Sequence, residues 1–229
     1  MIQEMDGVKK MKKMNRGTIA LSLALILGIV APANADMVFT LDQHFGAVPS
    51  AGFLVATFSI HDADTVKLVM DASNLGVGEY VDGNAGWYFN FTPGLGLSAI
   101  DFSHNGGVPG SLTIGEDAQK ADGDGFFDFV LDFPNAPGTR LGPGPGALDS
   151  SSEYLIGGSG VDQTSVQVSD FNFWSEPGGG QGTYLSAAHV SATGGGGGSD
   201  WLGAIPAPGA ALLGAIGLGL VGWLKRRVS

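Results

Sequence analysis

From Met37 onward the apolar residues of this chain recur with a period near two, and glycine interrupts them every few positions, with 39 copies in 229 residues. No stretch of the body sustains apolar residues at i, i+3, i+4 and i+7 for three turns, so an amphipathic helix has nowhere to form. The segment Trp87-Tyr88-Phe89-Asn90-Phe91-Thr92 is the clearest case. Its odd positions are aromatic, which sends Trp87, Phe89 and Phe91 to one face of a strand and into a core. Phe171, Phe173, Leu131 and Phe133 are expected to meet them there. The same reading gives ten candidate strands: Val38–Gln43, Phe53–Ile60, Thr65–Ala72, Trp87–Thr92, Leu97–Ser103, Ser111–Ile114, Phe126–Phe133, Glu153–Ile156, Ser165–Phe173 and Leu185–Ala192. Turn sequences separate them, among them Asp82-Gly83-Asn84, Thr92-Pro93-Gly94 and Gly142-Pro143-Gly144-Pro145-Gly146. Short strands joined by glycine-rich turns, with no helices between them, predict an all-β fold, an antiparallel β-sandwich or jelly roll.

The chain has no cysteine. Thiol nucleophiles, thiolate metal ligands and disulfide staples are therefore all excluded, and the fold must stand on its core. Charge is distributed unevenly. The chain carries 11 Lys and Arg against 22 Asp and Glu. Between residues 36 and 204 only Lys67, Lys120 and Arg140 face twenty acidic residues, a net of −17. Such a surface repels phosphate backbones, so nucleic acid is not a partner, and it favours neutral polymers or divalent cations.

The two ends read differently from the body. Residues 1–35 hold a basic region (Lys9, Lys10, Lys12, Lys13, Arg16), an apolar stretch from Thr18 to Val30 and the triplet Ala33-Asn34-Ala35. These are the three parts of a signal peptide, with cleavage expected after Ala35. At the other end, Pro206 and Pro208 precede an uncharged run from Gly209 to Leu224, closed by Lys225, Arg226 and Arg227. That run is 16 residues long and reaches 21 counted from Ala204, enough at ~1.5 Å per residue to cross a ~30 Å hydrocarbon core. One transmembrane helix is expected there, with its basic end on the cytoplasmic side. The run Thr193–Ser199, with five consecutive glycines, reads as a linker. The expected domains are thus a signal peptide at 1–35, a β-sandwich ectodomain at 36–193, a linker at 194–204 and a tail at 205–229. Trp201-Leu202 is a candidate for a last strand folding back, which softens the linker boundary.

A short proline motif, an apolar helix and an arginine-rich end in this order resemble the PEP-CTERM sorting signal of Gram-negative bacteria. Ala207 stands between the two prolines where that family often has Glu. The resemblance covers about the last 25 residues. It implies recognition of Pro206, Ala207 and Pro208 by an exosortase-type membrane protease. It also implies transient residence in the inner membrane, then release to the cell surface or the extracellular space in a system associated with exopolysaccharide and biofilm.

Within the body, Asp122-Gly123-Asp124-Gly125-Phe126-Phe127-Asp128 is the best candidate for chemistry. Carboxylates at these spacings on a glycine-rich loop resemble part of a calcium loop, in which hard oxygens converge on the ion. Asp122, Asp124 and Asp128 are its candidate ligands. The match is incomplete, since Phe126 takes the fifth position and no Glu closes the loop, and a hairpin turn fits the same letters. Trp174 and Trp201 sit beside glycine-rich sequence, where an indole can be left exposed as a platform for sugar rings. No nucleophile elbow, zinc-binding His pair or phosphate loop occurs.

Three functions follow in order. The first is an exported, non-enzymatic surface or matrix protein with a structural or adhesive role. The second is a carbohydrate-binding module, with calcium as its cofactor if the aspartate loop is a site. The third is a glycoside hydrolase, which needs two carboxylates in a cleft.

Overall fold

The computed structural model describes residues 35–46, 52–83, 85–94, 96–97, 100–122, 124–158, 165–180, 182–192 and 198–205. They fall, Ala35 apart, in the unit Asp36–Ser229. The strands are β1 (Met37–His44), β2 (Leu54–Ile60), β3 (Thr65–Asp71), β4 (Glu79–Val81), β5 (Trp87–Phe89), β6 (Ile100–Gly107), β7 (Ser111–Lys120), β8 (Phe126–Asp132), β9 (Arg140–Leu141), β10 (Ala147–Asp149), β11 (Ser151–Gly158), β12 (Ser186–Ala192) and β13 (Ser199–Ala204). The fold is all-β. Among the described residues no helix is long and apolar enough to cross a membrane. The apolar run 209–224 lies outside them.

A sandwich would stack two separately hydrogen-bonded sheets, whereas these strands form one sheet that nearly closes into a barrel. The path runs β6-β11-β3-β2-β1-β13-β12 and then divides. One half of β12 (Ser186–Ala188) pairs with β5, which continues to β8 and β7. The other half (Val190–Ala192) pairs with β4, which continues to β9 and β10. His189 lies between the halves and holds both: its carbonyl accepts the Asp82 N–H, and its own N–H donates to the Gly86 carbonyl. All pairings are antiparallel except the short one between β9 and β10.

Alternation along the central strands explains which face turns inward. In β2 Leu54, Ala56 and Phe58 are buried, and in β3 Val66, Leu68 and Met70, with their neighbours facing outward. At ~1.5–3 kcal/mol for each large apolar side chain removed from water, this face is the main stabilising term. Aromatic rings fill the interior. Phe58 stacks on Phe171 with centroids 4.3 Å apart, and Phe89 and Phe91 lie 5.1 and 4.8 Å from Phe129. Phe102 of β6 also reaches Phe129, at 5.1 Å, so the two ends of the sheet meet through their side chains. Trp87 is fully buried, and its indole N–H donates to Ser186 Oγ at 3.0 Å.

A second, smaller cluster covers the opposite face of β5 and β12, where Tyr88, Trp201, Phe45 and Tyr184 pack together. Tyr184 stacks on Phe45 at 4.6 Å and lies against Gly203, where an added Cβ would stand 2.3 Å from the ring. Both faces of β5 are buried as a result.

The strands differ from expectation in three places. Ser165–Phe173 is not a strand: the Asp170 carboxylate accepts the Gln167 N–H at 2.8 Å and closes a 3-10 turn over Val168–Phe171. Strands β4, β9 and β10 arise in segments of two or three residues, too short to show a period. Ser199–Ala204, placed by the domain boundaries in the linker, is β13, a central strand paired with β1 on one side and β12 on the other.

Candidate functional site

The described surface has one cleft in which an exposed aromatic ring and several carboxylates come together. Its floor begins with Asp128 of β8, which is buried. Asp128 Oδ2 accepts the Phe91 N–H at 2.7 Å, and Oδ1 accepts the Asp117 N–H at 2.9 Å. One carboxylate thereby ties the segment after β5 to the edge strand β7.

That edge is distorted where it meets Asp128. Ile114 pairs with Phe129 and Gln119 with Phe127, so four residues of β7, Gly115–Ala118, stand opposite Asp128 alone. A bulge of this size bends a strand and re-aims its side chains. Asp117 takes a positive φ of 48° within it, a conformation that costs a non-glycine residue energy. The bulge delivers Glu116 and Asp117 to the rim of the cleft.

The far wall is the segment after the 3-10 turn. The buried Asn90 amide donates to the Phe173 carbonyl at 3.1 Å, and Phe126 and Glu176 exchange backbone hydrogen bonds of 2.8 and 3.1 Å. Ser175 donates its N–H to the Tyr184 carbonyl at 2.9 Å. Trp174 lies between these anchors with its backbone neighbours fixed and is itself 48% exposed.

The cleft has a volume of about 260 Å³. It shares Gly94, Leu97 and Glu116 with a second opening of about 670 Å³, which is lined also by Ile100 of β6 and Ile114 of β7. Its lining contains no cation. Partial desolvation, followed by the carboxylates of Asp128, Glu176 and Glu116, holds Asp117 above the usual carboxylate range. The only buried acid here is Asp128, and both of its oxygens are taken by backbone amides. The rim acids Glu116, Asp117 and Glu176 are exposed.

The expected calcium ligands are not brought together. Asp122 is exposed and lies within electrostatic reach of His189, Asp124 is buried near Tyr184, and Asp128 faces Phe91 and Asp117. Among the described residues no three His, Asp or Glu side chains form a group that could hold a metal ion. The Asp124 N–H donates to the Ala121 carbonyl at 2.6 Å. Of the three body tryptophans, Trp87 and Trp201 are buried and Trp174 alone is exposed. Ala35 is exposed just ahead of β1. Ala33, Pro206, Ala207, Pro208, Lys225, Arg226 and Arg227 lie outside the described residues.

A second polar group surrounds His189. Asp82 Oδ2 accepts from Ser191 Oγ at 2.6 Å and stands 3.4 Å from His189 Nδ1, while Asp82 Oδ1 accepts from Asn135 at 2.8 Å. Burial lowers the His189 pKa against the pull of Asp82, Asp122 and Asp200. The Ser191 hydroxyl is bonded to the carboxylate and not to the imidazole, so this trio lacks the nucleophile-to-base contact of a hydrolytic triad.

Comparison of the chain with family models, with curated proteins and with solved structures finds no match.

Proposed function

We propose that this is an exported surface or extracellular-matrix protein with a non-enzymatic, structural or adhesive role. In this reading residues 1–35 direct export and are removed after Ala35. The segment Gly209–Leu224 is a transmembrane helix held by Lys225, Arg226 and Arg227. An exosortase-type protease then acts near Pro206-Ala207-Pro208.

One observation carries most of the support. Strand β13, the last of the described strands, ends at Ala204, two positions before Pro206. Cleavage within 205–208 leaves every described strand in place. Cleavage a few residues earlier would cut into a strand at the middle of the sheet, between β1 and β12. Every described strand therefore lies ahead of the expected cleavage segment, as a detachable tail requires. The body's charge of −17 suits a soluble particle outside the cell.

The test is fractionation of the native host after pulse labelling, comparing the full chain with one ending at Ile205. The full chain is expected first in the inner membrane and later at the surface or in the medium. The shortened chain is expected to be exported without the membrane stage. Identical distributions for the two would overturn the role given to the tail.

A further inference from the structure

We propose that the cleft beside Trp174 is a binding site for a neutral glycan chain. The proposal deepens the adhesive reading and rests on it for where the ligand is met, while the binding itself is a property of the purified protein.

Three features of the cleft select this ligand class. The first is the indole. Trp174 is one of the few large apolar side chains left exposed, yet the residues around it are pinned through Asn90, Ser175 and Glu176. A held backbone with an exposed ring makes an apolar platform that loses little freedom on contact, as a stacking anchor requires.

The second is the polar complement. Glu116, Asp117 and Glu176 offer hydrogen-bond acceptors at the rim, and no Lys or Arg lines either opening. A ligand must therefore supply donors and carry no negative charge. The hydroxyls of a neutral sugar meet both conditions, whereas uronates and sulfated sugars would be repelled. The carboxylates do not converge as a metal-holding group, which leaves them to accept from hydroxyls.

The third is shape. The two openings adjoin, sharing Gly94, Leu97 and Glu116 in their linings, and the larger is lined by Ile100 of β6 and Ile114 of β7. Two adjoining open clefts offer successive positions to the units of a polymer. Leu97, Ile100 and Ile114 supply apolar surface there for the faces of further sugar rings.

The experiment is isothermal titration of the purified full chain with neutral oligosaccharides of several linkages, and with uronate oligosaccharides of matched length. At least one neutral series is expected to bind, with affinity rising with chain length. Trp174→Ala should weaken that binding about tenfold or more, as for a central aromatic anchor, and Trp174→Phe should retain part of it. An unchanged melting temperature in Trp174→Ala will show that the loss is local. Absence of binding by every neutral series, equal binding of uronates, or indifference to Trp174→Ala each overturns the site. So does calcium alone giving the same calorimetric signal. None of these outcomes touches export or tail processing, which the fractionation above reads separately.

Discussion

Asp128 accepts the backbone N–H of Asp117 at 2.9 Å, while partial desolvation and, after it, the negative charge of Asp128 raise the pKa of the Asp117 carboxyl. The same pair is thus bonded through one group and repelled through another, because the β7 bulge folds Asp117 back over the acid that anchors it. Removing the two charges should have opposite effects.

Asp117→Asn is expected to stabilise the protein near neutral pH. A carboxyl whose pKa is raised on folding adds stability below its unfolded pKa, and that stability is lost as pH rises through the folded value. Above it the ionised group opposes folding, and the amide removes that penalty. Because Asp117 is exposed, the gain is a few tenths of a kcal/mol, about 1 °C in Tm. It should shrink as the solution is acidified through the carboxylate range. Asp128→Asn should do the reverse, since an amide oxygen replaces only one of two acceptors and leaves a buried N–H without a partner, at about 1–3 kcal/mol. Thermal melts of both variants across pH check the pair, and equal shifts in the same direction would contradict it.

Phe171→Ala is expected to cost about 3–5 kcal/mol, or roughly 10 °C in Tm. The ring closes the interior by stacking on Phe58 at 4.3 Å and packing on Phe91 at 4.9 Å. Trp174→Ala, three residues further on, removes an exposed ring and should cost well under about 1 kcal/mol. Denaturant titration of the two variants separates the interior from the cleft wall.

Burial, with Asp132 as a lesser cause, pushes the Tyr88 hydroxyl up to about 12. For a raised acid the stabilising contribution is complete below the unfolded value of ~10 and disappears as pH climbs through the folded one. The protein should therefore lose stability between about pH 10 and 12, and Tyr88→Phe should lose less over that window. Parallel stability curves for the two proteins would place the loss elsewhere. Tyr154 and Tyr184, also raised by burial, contribute to the same alkaline limb.

Strands β2, β3, β8 and β12 were legible because each holds several residues of alternating or continuous apolar character. Trp87 and Phe89 could be assigned to the interior on the same grounds. The curled single sheet could not be read, since closure depends on which strands pair, and the split of β12 between β4 and β5 leaves no local mark. Ser165–Phe173 misled because its apolar spacing mimics a strand, while Asp170 bonds the backbone locally. The cleft was half visible. Trp174 stands out beside glycine-rich sequence, but Glu116 and Asp117 join it only through a bulge opposite Asp128, a non-local pairing. The aspartate loop had the right letters, yet among the described residues Asp122, Asp124 and Asp128 do not form a group that could hold a metal ion.

In the proposed function, an intact β body is separated from its tail just beyond β13. Mass spectrometry of the mature protein from its native host tests it most directly, with and without the candidate membrane protease. A first residue at Asp36, a last residue within 205–208, and peptides from 209–224 only when the protease is missing are the expected result. Equal recovery of 209–224 peptides from both strains, or a terminus inside Ser199–Ala204, would contradict it.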